Sequence, residues 1–214
     1  MHQRTPEITI IGGGIVGLSV ALGLLQAGRT VQVLDGADGD ARASQGNFGL
    51  IWGQGKGWNF APYANWTMDA LAAWPAFAQL LQELSGINLA LDQSGGYEFF
   101  TDVQEMAGFT AEMTQQASHL GNRASYEMLS GDDLRSQLPG LGPKVVGASF
   151  SPRDGHLNPL RFLRALRIAV QNAGGRLRTG ASVTTISPQP RGGFALTLAS
   201  AEVRHSDQVV FFFF

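Results

Sequence analysis

The sequence predicts an α/β protein with a Rossmann-like dinucleotide-binding domain. Three observations predict it: a short strand, Glu7 to Ile11; the spacing Gly12-x-Gly14-x-x-Gly17 directly after it; and an acid, Asp35, closing a second strand, Thr30 to Leu34. Strand, glycine turn, helix, strand and acid in that order form one βαβ half-unit of roughly 30 residues.

Each element has a local reason. Glu7 to Ile11 is short and, after Glu7, wholly β-branched, as suits a buried parallel strand. Ile15 to Ala27 has helical character and stops at Gly28. The apolar stretch Ile8 to Leu25 is not read as a signal peptide or a spanning helix, because Gly12-Gly13-Gly14 breaks it and Gly17 and Gly23 weaken it. Gly36 to Gly57 shows neither helical nor strand period and reads as a long, glycine-dominated loop, which in a compact domain is usually functional. Ala61 to Leu84 is helical, with Pro75 expected to split it. Gly95-Gly96 is expected to turn a hairpin between strands Leu89 to Leu91 and Tyr97 to Thr101. Asp102 and Glu105 open a helix to about His119, and Ser130 and Asp133 open a shorter one stopped near Pro139. Val145 to Phe150 reads as a strand and Pro159 to Asn172 as a helix. Arg176 to Arg178, Val183 to Ile186, Phe194 to Leu198 and Glu202 to His205 follow as strands, and then the apolar run Val209 to Phe214. That run lacks charge and proline and is expected to be an aggregation hazard.

Composition narrows the function classes. In 214 residues, 44% are hydrophobic and 15% charged, enough for a packed core. A net charge of −2 offers no electrostatic footprint for nucleic acid. The absence of cysteine removes disulfides, thiolate metal sites and Cys nucleophiles. No H-E-x-x-H spacing or nucleophile elbow occurs, so neither a metal site nor Ser/His/Asp catalysis is expected. No transmembrane segment is expected, and the location is taken as cytoplasmic.

The fingerprint carries the chemistry. Gly12 permits a tight turn, Gly14 lets backbone approach a pyrophosphate, and Gly17 lets the helix pack on the strand. The helix start then offers N–H groups and about half a positive charge to the phosphates. Asp35 can accept hydrogen bonds from ribose hydroxyls and would repel a 2′-phosphate, which argues against NADP. The fingerprint alone leaves FAD and NAD open.

The segment after Asp35 separates them. With Ile10-Ile11-Gly12-Gly13-Gly14-Ile15-Val16-Gly17-Leu18-Ser19, the stretch Arg42-Ala43-Ser44-Gln45-Gly46-Asn47-Phe48-Gly49-Leu50 and the stretch Asp154-Gly155-His156-Leu157-Asn158-Pro159, the chain resembles the D-amino-acid oxidase and glycine/sarcosine oxidase superfamily of FAD-dependent oxidoreductases. That resemblance implies FAD as cofactor, with Ile15 and Val16 at the pyrophosphate and Asp35 with Gly36 at the adenosine ribose. It implies Ala43 and Ser44 along the phosphate and ribityl path, Phe48, Gly49 and Leu50 against the isoalloxazine ring, and Val183 reaching adenine through its backbone. It implies an FAD-binding domain over 1–60 and 151–214 with an inserted α+β substrate lobe over 61–150. Relatives continue past the strand at Asp207 to Val210 into a small-residue turn; Phe211 to Phe214 depart from this, so a truncated fold is expected, with no catalytic residue to carry over.

The implied reaction is oxidation of the C–N bond of a small amino acid or secondary amine to an imine. Leu50 to Lys56 inclines the reading toward the bacterial multi-subunit branch acting on opines, D-hydroxyproline or glycine, where electrons pass to partner subunits. The alternatives are a non-catalytic dinucleotide-binding fragment and an NAD-dependent dehydrogenase. Trp52, Trp58, Trp66 and Trp74 could wall a flavin but are more often core or interface. His156 could face substrate and Lys56 an anionic group, against the ordinary reading of both as surface residues. Asp132 and Asp133 suit a helix start and need no catalytic role.

Overall fold

Ile8–Ile11 (β1) takes the middle of a parallel sheet because every residue in it is apolar or β-branched and can be buried on both faces. The computed structural model describes residues 6–36 and 43–212. β1 pairs in parallel with Val31–Leu34 (β2) on one side and Gln208–Phe211 on the other, and Arg176–Arg178 extends the sheet beyond β2. The α/β fold with a parallel sheet is as the sequence predicts. Between β1 and β2 runs α1, Ile15–Gln26, whose Leu18, Ala21 and Leu22 are buried. It contacts Pro159–Asn172, the last helix, which buries Phe162, Leu163, Ala165, Leu166, Ala169 and Val170. Each fully buried leucine contributes about 1.5–3 kcal/mol. Asn158 caps that helix by accepting from Arg161 N–H, with Pro159 in the first turn where its missing N–H costs nothing.

In chain order, the remaining elements are β3 (Leu50–Ile51), α2 (Ala61–Ser85), β4 (Gly96–Phe100), α3 (Val103–Leu120), β5 (Glu127–Ser130), α4 (Gly131–Gln137), β6 (Gly147–Ser151), β7 (Gly155–His156), α5 (Pro159–Asn172), β8 (Arg176–Arg178), β9 (Val183–Pro188), β10 (Phe194–Leu198), β11 (Val203–Ser206) and β12 (Gln208–Phe211). The chain divides into two units. The first comprises residues 1–47, 79–89 and 158–214, and the second 48–78 and 90–157. This differs from division at 60/61 and 150/151: residues 48–60 and 151–157 belong to the second unit and 79–89 to the first. The reason is pairing, since β3 lies antiparallel to β7, so the end of the glycine-rich loop and the Asp154 turn hold each other.

The first unit holds the parallel sheet, in the order β12-β1-β2-β8, and an antiparallel sheet, β11-β10-β9. A second apolar cluster of Leu34, Ala181, Leu196 and Leu198, with Ile11, Val183 and Val209 against it, joins the ends of the parallel strands to that antiparallel sheet. Phe211 remains about half exposed, and Phe213 and Phe214 lie outside the described residues. The second unit holds the antiparallel sheet β4-β6-β5. Among the described residues no helix is long and apolar enough to cross a membrane.

Two expectations fail in the second unit. Gly95-Gly96 does not turn a hairpin: β4 pairs with β6, and Leu89 to Leu91 is not a strand. The glycines instead admit rings. A Cβ on Gly95 would lie 2.4 Å from the Phe150 ring, and one on Gly96 would lie 2.5 Å from Trp52. Nor does Pro75 split its segment; α2 runs through it from Ala61 to Ser85. Pro75 has no N–H for the Leu71 carbonyl one turn back, and Gln93 Nε2 donates to that carbonyl instead, at 3.2 Å. A side chain from a neighbouring segment thus replaces the missing helical bond.

Gln93→Ala should therefore cost about 1 kcal/mol in urea unfolding, by leaving the Leu71 carbonyl without its donor. In a Pro75→Ala background the helix supplies its own N–H, and the same Gln93→Ala change should cost clearly less. Equal costs in the two backgrounds would refute the replacement.

Candidate functional site

The glycine turn in the first unit follows β1 directly. Gly12 has φ +111°, a conformation that side chains rarely adopt, and a Cβ built on it would meet nothing within 4 Å. Its N–H donates to the Leu34 carbonyl at 2.9 Å, tying the turn to β2. Gly17 faces the opposite constraint. A Cβ there would sit 2.0 Å from the Gly12 carbonyl oxygen, so α1 can rest on the turn only if residue 17 has no side chain. Gly14 caps α1 in an extended conformation and has no side chain of its own to offer the helix start. Ile15 is half-buried there and Val16 is exposed. Ser44, from the loop after Asp35, accepts a hydrogen bond at its Oγ from the Ile15 N–H at 3.0 Å, and a Cβ on Gly14 would approach that Oγ to 2.9 Å. The structure therefore brings together Gly12, Gly14, Ile15, Val16, Gly17 and Ser44. Ala43, next to Ser44, is exposed, and Arg42 lies outside the described residues.

Asp35 follows β2 and is buried. Its Oδ1 accepts from the Gly13 N–H at 2.9 Å, and its Oδ2 lies 3.3 Å from the Arg167 guanidinium. Its backbone is held on both sides: its N–H donates to the Arg178 carbonyl, and its carbonyl accepts from Ala181 N–H. Gly36, beside it, accepts at its carbonyl from Gly180 N–H. Val183 starts β9 and packs in the cluster that contains Ile11 and Leu34, the residues preceding Gly12 and Asp35. The sequence alone does not single out Gly13 or Arg167. Gly13 sits within the motif but at a position the fingerprint leaves free, and Arg167 lies 132 residues from its partner.

In the second unit, Gly49 is buried with φ +71°, and its carbonyl accepts from Leu157 N–H at 2.9 Å. Phe48 and Leu50 on either side of it are 86% and 60% exposed, so neither packs in the core. An open pocket of about 800 Å³ is lined by Leu50, Trp52, Lys56, Tyr97, Glu98 and His156 among others. Trp52 and Lys56 thus share one concavity with His156, which lies far from them in the sequence. The four tryptophans do not form one wall: Trp66 is exposed on α2, and Trp74 packs edge-on against Phe77. Asp132 and Asp133 occupy the first turn of α4, Asp132 pairing with Arg135 and Asp133 closing the Ser130 cap.

Asp154 stands out in the sequence only as part of a longer stretch, yet it anchors this unit. It is fully buried and accepts from Gly53 N–H at 2.8 Å and Gln54 N–H at 3.4 Å. Burial pushes its carboxyl above the ordinary range, and the Gly53 and Gln54 bonds pull part of that back. A separate cavity of about 320 Å³ in the first unit, lined by Pro6, Thr30, Val31 and Arg176, lies at the amino ends of β2 and β8. Open α/β sheets bind ligands at the other end, where the glycine turn is.

The DAO model, described as FAD dependent oxidoreductase, matches residues 7–211. The chain belongs to this family. It is 40% identical over 187 residues to an opine oxidase subunit of Rhizobium meliloti, covering 87% of this chain and 50% of that protein. It is 39% identical over 191 residues to the corresponding opine oxidase subunit of Agrobacterium tumefaciens (strain Ach5), covering 89% and 51%. Its fold matches that of a glycine oxidase from Bacillus cereus ATCC 14579 with a TM-score of 0.81, at 22% identity, over 97% of this chain and 55% of that one. The chain spans about half the length of the curated relatives it matches.

The DAO family is FAD-dependent, so the nicotinamide alternative falls. The residues present fit the cofactor. An open, side-chain-free Gly12, a glycine at the start of α1 and the Ser44 hydroxyl on the Ile15 N–H form a cradle that any Cβ at Gly14 would begin to fill.

Gly14→Val should abolish FAD retention, measured as flavin absorbance after gel filtration, because a branched side chain would crowd Ser44 and the cradle. Unchanged flavin content would remove the turn from the site. For Asp154, the raised carboxyl means that stability is full at acid pH. It declines as pH rises from about 4 to the folded-state value, because the unfolded chain gives up its proton first. Asp154→Asn should lack that decline, so parent and variant urea-unfolding curves should diverge as pH rises from about 3 to 7. Parallel curves would show that burial does not govern the group.

Proposed function

We propose that this chain is the FAD-binding part of an oxidoreductase that oxidises the C–N bond of a small amino acid or secondary amine to an imine. The glycine turn carries the reading. Backbone without side chains meets the glycine-capped start of α1, with Ser44 on its first N–H, as suits a pyrophosphate. On this reading Gly12, Gly14, Ile15, Val16 and Gly17 surround the pyrophosphate, and Asp35 with Gly36 takes the adenosine ribose. Ala43 and Ser44 follow the phosphate and ribityl path, and Val183 meets adenine through its backbone. Phe48, Gly49 and Leu50 are the residues assigned to the isoalloxazine ring, where two exposed apolar side chains flank a glycine with φ +71°.

The substrate carbon next to nitrogen gives up a hydride and the nitrogen a proton, leaving a C=N bond. FAD, when bound, supplies the hydride acceptor. The pocket of the second unit is the proposed seat of the substrate. Trp52 and Tyr97 give it apolar walls, and Lys56 offers a cation for a substrate carboxylate. The likeness to the opine oxidase chains supports a secondary-amine acid as substrate and an assembly in which further subunits take the electrons.

Anaerobic mixing of the FAD-loaded protein with N-(carboxyalkyl) amino acids, sarcosine and D-proline should bleach the flavin. Glycerophosphate and 2-hydroxy acids should leave it oxidised. Bleaching by a hydroxy acid alone would overturn the amine assignment, and no bleaching by any amine would favour a non-catalytic module. Lys56→Met should raise KM for amino acids roughly 3–10-fold while kcat changes little, the result expected when a partly solvated charge pair with bound substrate is lost. A fall in kcat with unchanged KM would move Lys56 out of substrate binding.

A further inference from the structure

We propose that Glu98 is a specificity-determining residue of the second-unit pocket, accepting the N–H groups of a substrate ammonium while Lys56 takes the carboxylate. The inference rests on the reading of that pocket as the substrate seat. Among the described residues that line it, Glu98 is the one acid, and Lys56 and His156 are the bases. Glu98 and Lys56 are exposed, and among the described residues neither side chain is held in an ion pair or a hydrogen bond. On the surface elsewhere, Glu7, Asp69, Asp132 and Glu202 each hold an arginine. Glu98 and Lys56 thus share one concavity without pairing with each other. Each is open to a ligand, and a ligand that carries both charges satisfies both.

The backbone fixes where the two charges stand. Glu98 lies within β4, registered against Ser149 of β6. Successive side chains of a strand point to opposite faces, so Glu98 shares a face with position 96. The Trp52 ring occupies that face, because a Cβ on Gly96 would lie 2.5 Å from it. The segment from Trp52 to Lys56 is tied to the same strand, with Gln54 Nε2 donating to the Gly96 carbonyl at 3.0 Å. Lys56 is pinned at its own peptide groups. Its N–H donates to the Gly53 carbonyl at 3.2 Å, and its carbonyl accepts from Gln116 Nε2 at 2.6 Å. A ligand therefore meets an acid and a base whose backbones are already held, and little backbone freedom is lost on binding. A neutral or anionic group in place of the ammonium forfeits the attraction of Glu98. The pocket then sorts amino acids from other carboxylates by charge.

Two ligands of one shape test this without turnover. 2-Aminoisobutyrate carries both charges and has no hydrogen on the carbon next to nitrogen. Pivalate replaces its ammonium by a methyl group. Binding to the FAD-loaded protein is followed by nuclear magnetic resonance at the Trp52 indole N–H and the Gly96 and Gly155 amides. The parent should prefer 2-aminoisobutyrate by about fivefold, the size of a solvent-exposed ion pair. Glu98→Gln should bring the preference to within about twofold and leave pivalate affinity unchanged. Glu98→Lys should reverse it, tightening pivalate and weakening 2-aminoisobutyrate. Lys56→Met should weaken both ligands alike. A preference that survives Glu98→Gln, or equal losses of both ligands in that variant, would overturn the proposal. A parent that binds both ligands equally at these signals would overturn it too, with the pocket still standing as the seat. A parent in which neither ligand moves these signals would sink the seat, and this proposal with it.

Discussion

The close approach of α1 to the Gly12 carbonyl is the constraint on which the rest depends. With no Cβ at residue 17, the helix lies directly on the turn that leaves β1. That contact sets the height of α1 over the sheet and lets Leu18, Ala21 and Leu22 bury against it. It also aims the start of the helix at the space left open beside Gly12. A single alanine at 17 would lift the helix by about one ångström, because real Cβ contacts are never as short as 2.0 Å. Packing and ligand geometry are therefore one requirement, which is why the glycines cluster where the backbone entropy they cost is offset twice.

Two buried carboxylates extend this logic, and they do so differently. Asp35 and Asp154 each accept a hydrogen bond from a glycine N–H, Gly13 in one unit and Gly53 in the other. Each fixes a glycine-rich segment that has few side chains of its own to hold it. Asp35 has a guanidinium as well. Asp154 relies on peptide N–H groups and neighbouring polar side chains, and burial raises its carboxyl accordingly. The arginine-paired site is the one beside the fingerprint, where Oδ1 also accepts from the Gly13 N–H. The Asp154 site holds the Trp52–Gln54 segment, where the acceptor geometry alone serves.

What the sequence made legible was local. β1, α1, β2 and α5 stand out within a residue or two, because their apolar periodicity, caps and glycine stops lie within their own span. The fingerprint is readable for the same reason. What fails requires partners distant in the chain. Pro75 reads as a helix breaker until Gln93 is seen to serve the Leu71 carbonyl. Gly95-Gly96 reads as a hairpin turn until the rings of Phe150 and Trp52 occupy the space of the missing Cβ atoms. β3 and β7, two residues each, have no periodicity to detect and exist through their mutual pairing. Arg167 carries no local mark at all, since it belongs to an arginine-bearing helix face that looks wholly solvated.

The segment from Phe48 to Leu50 shows how a rigid backbone and open side chains can coexist. Gly49 is buried, its carbonyl tied to Leu157, while Leu50 is registered against His156. The backbone is thus fixed at two successive residues. Yet Phe48 and Leu50 project outward at 86% and 60% exposure, which forgoes about 1.5–3 kcal/mol of burial for each. Isolated exposed apolar residues need no special reason, but two flanking a buried glycine with φ +71° at the entry to a hydrogen-bonded strand form an ordered apolar surface. Such a surface suits a planar ring better than a flexible chain, because a ring loses no internal freedom on contact and gains from a support that has already lost its own. The same reasoning separates this segment from the mere exposure of Trp66 on α2, where no glycine opens the backbone.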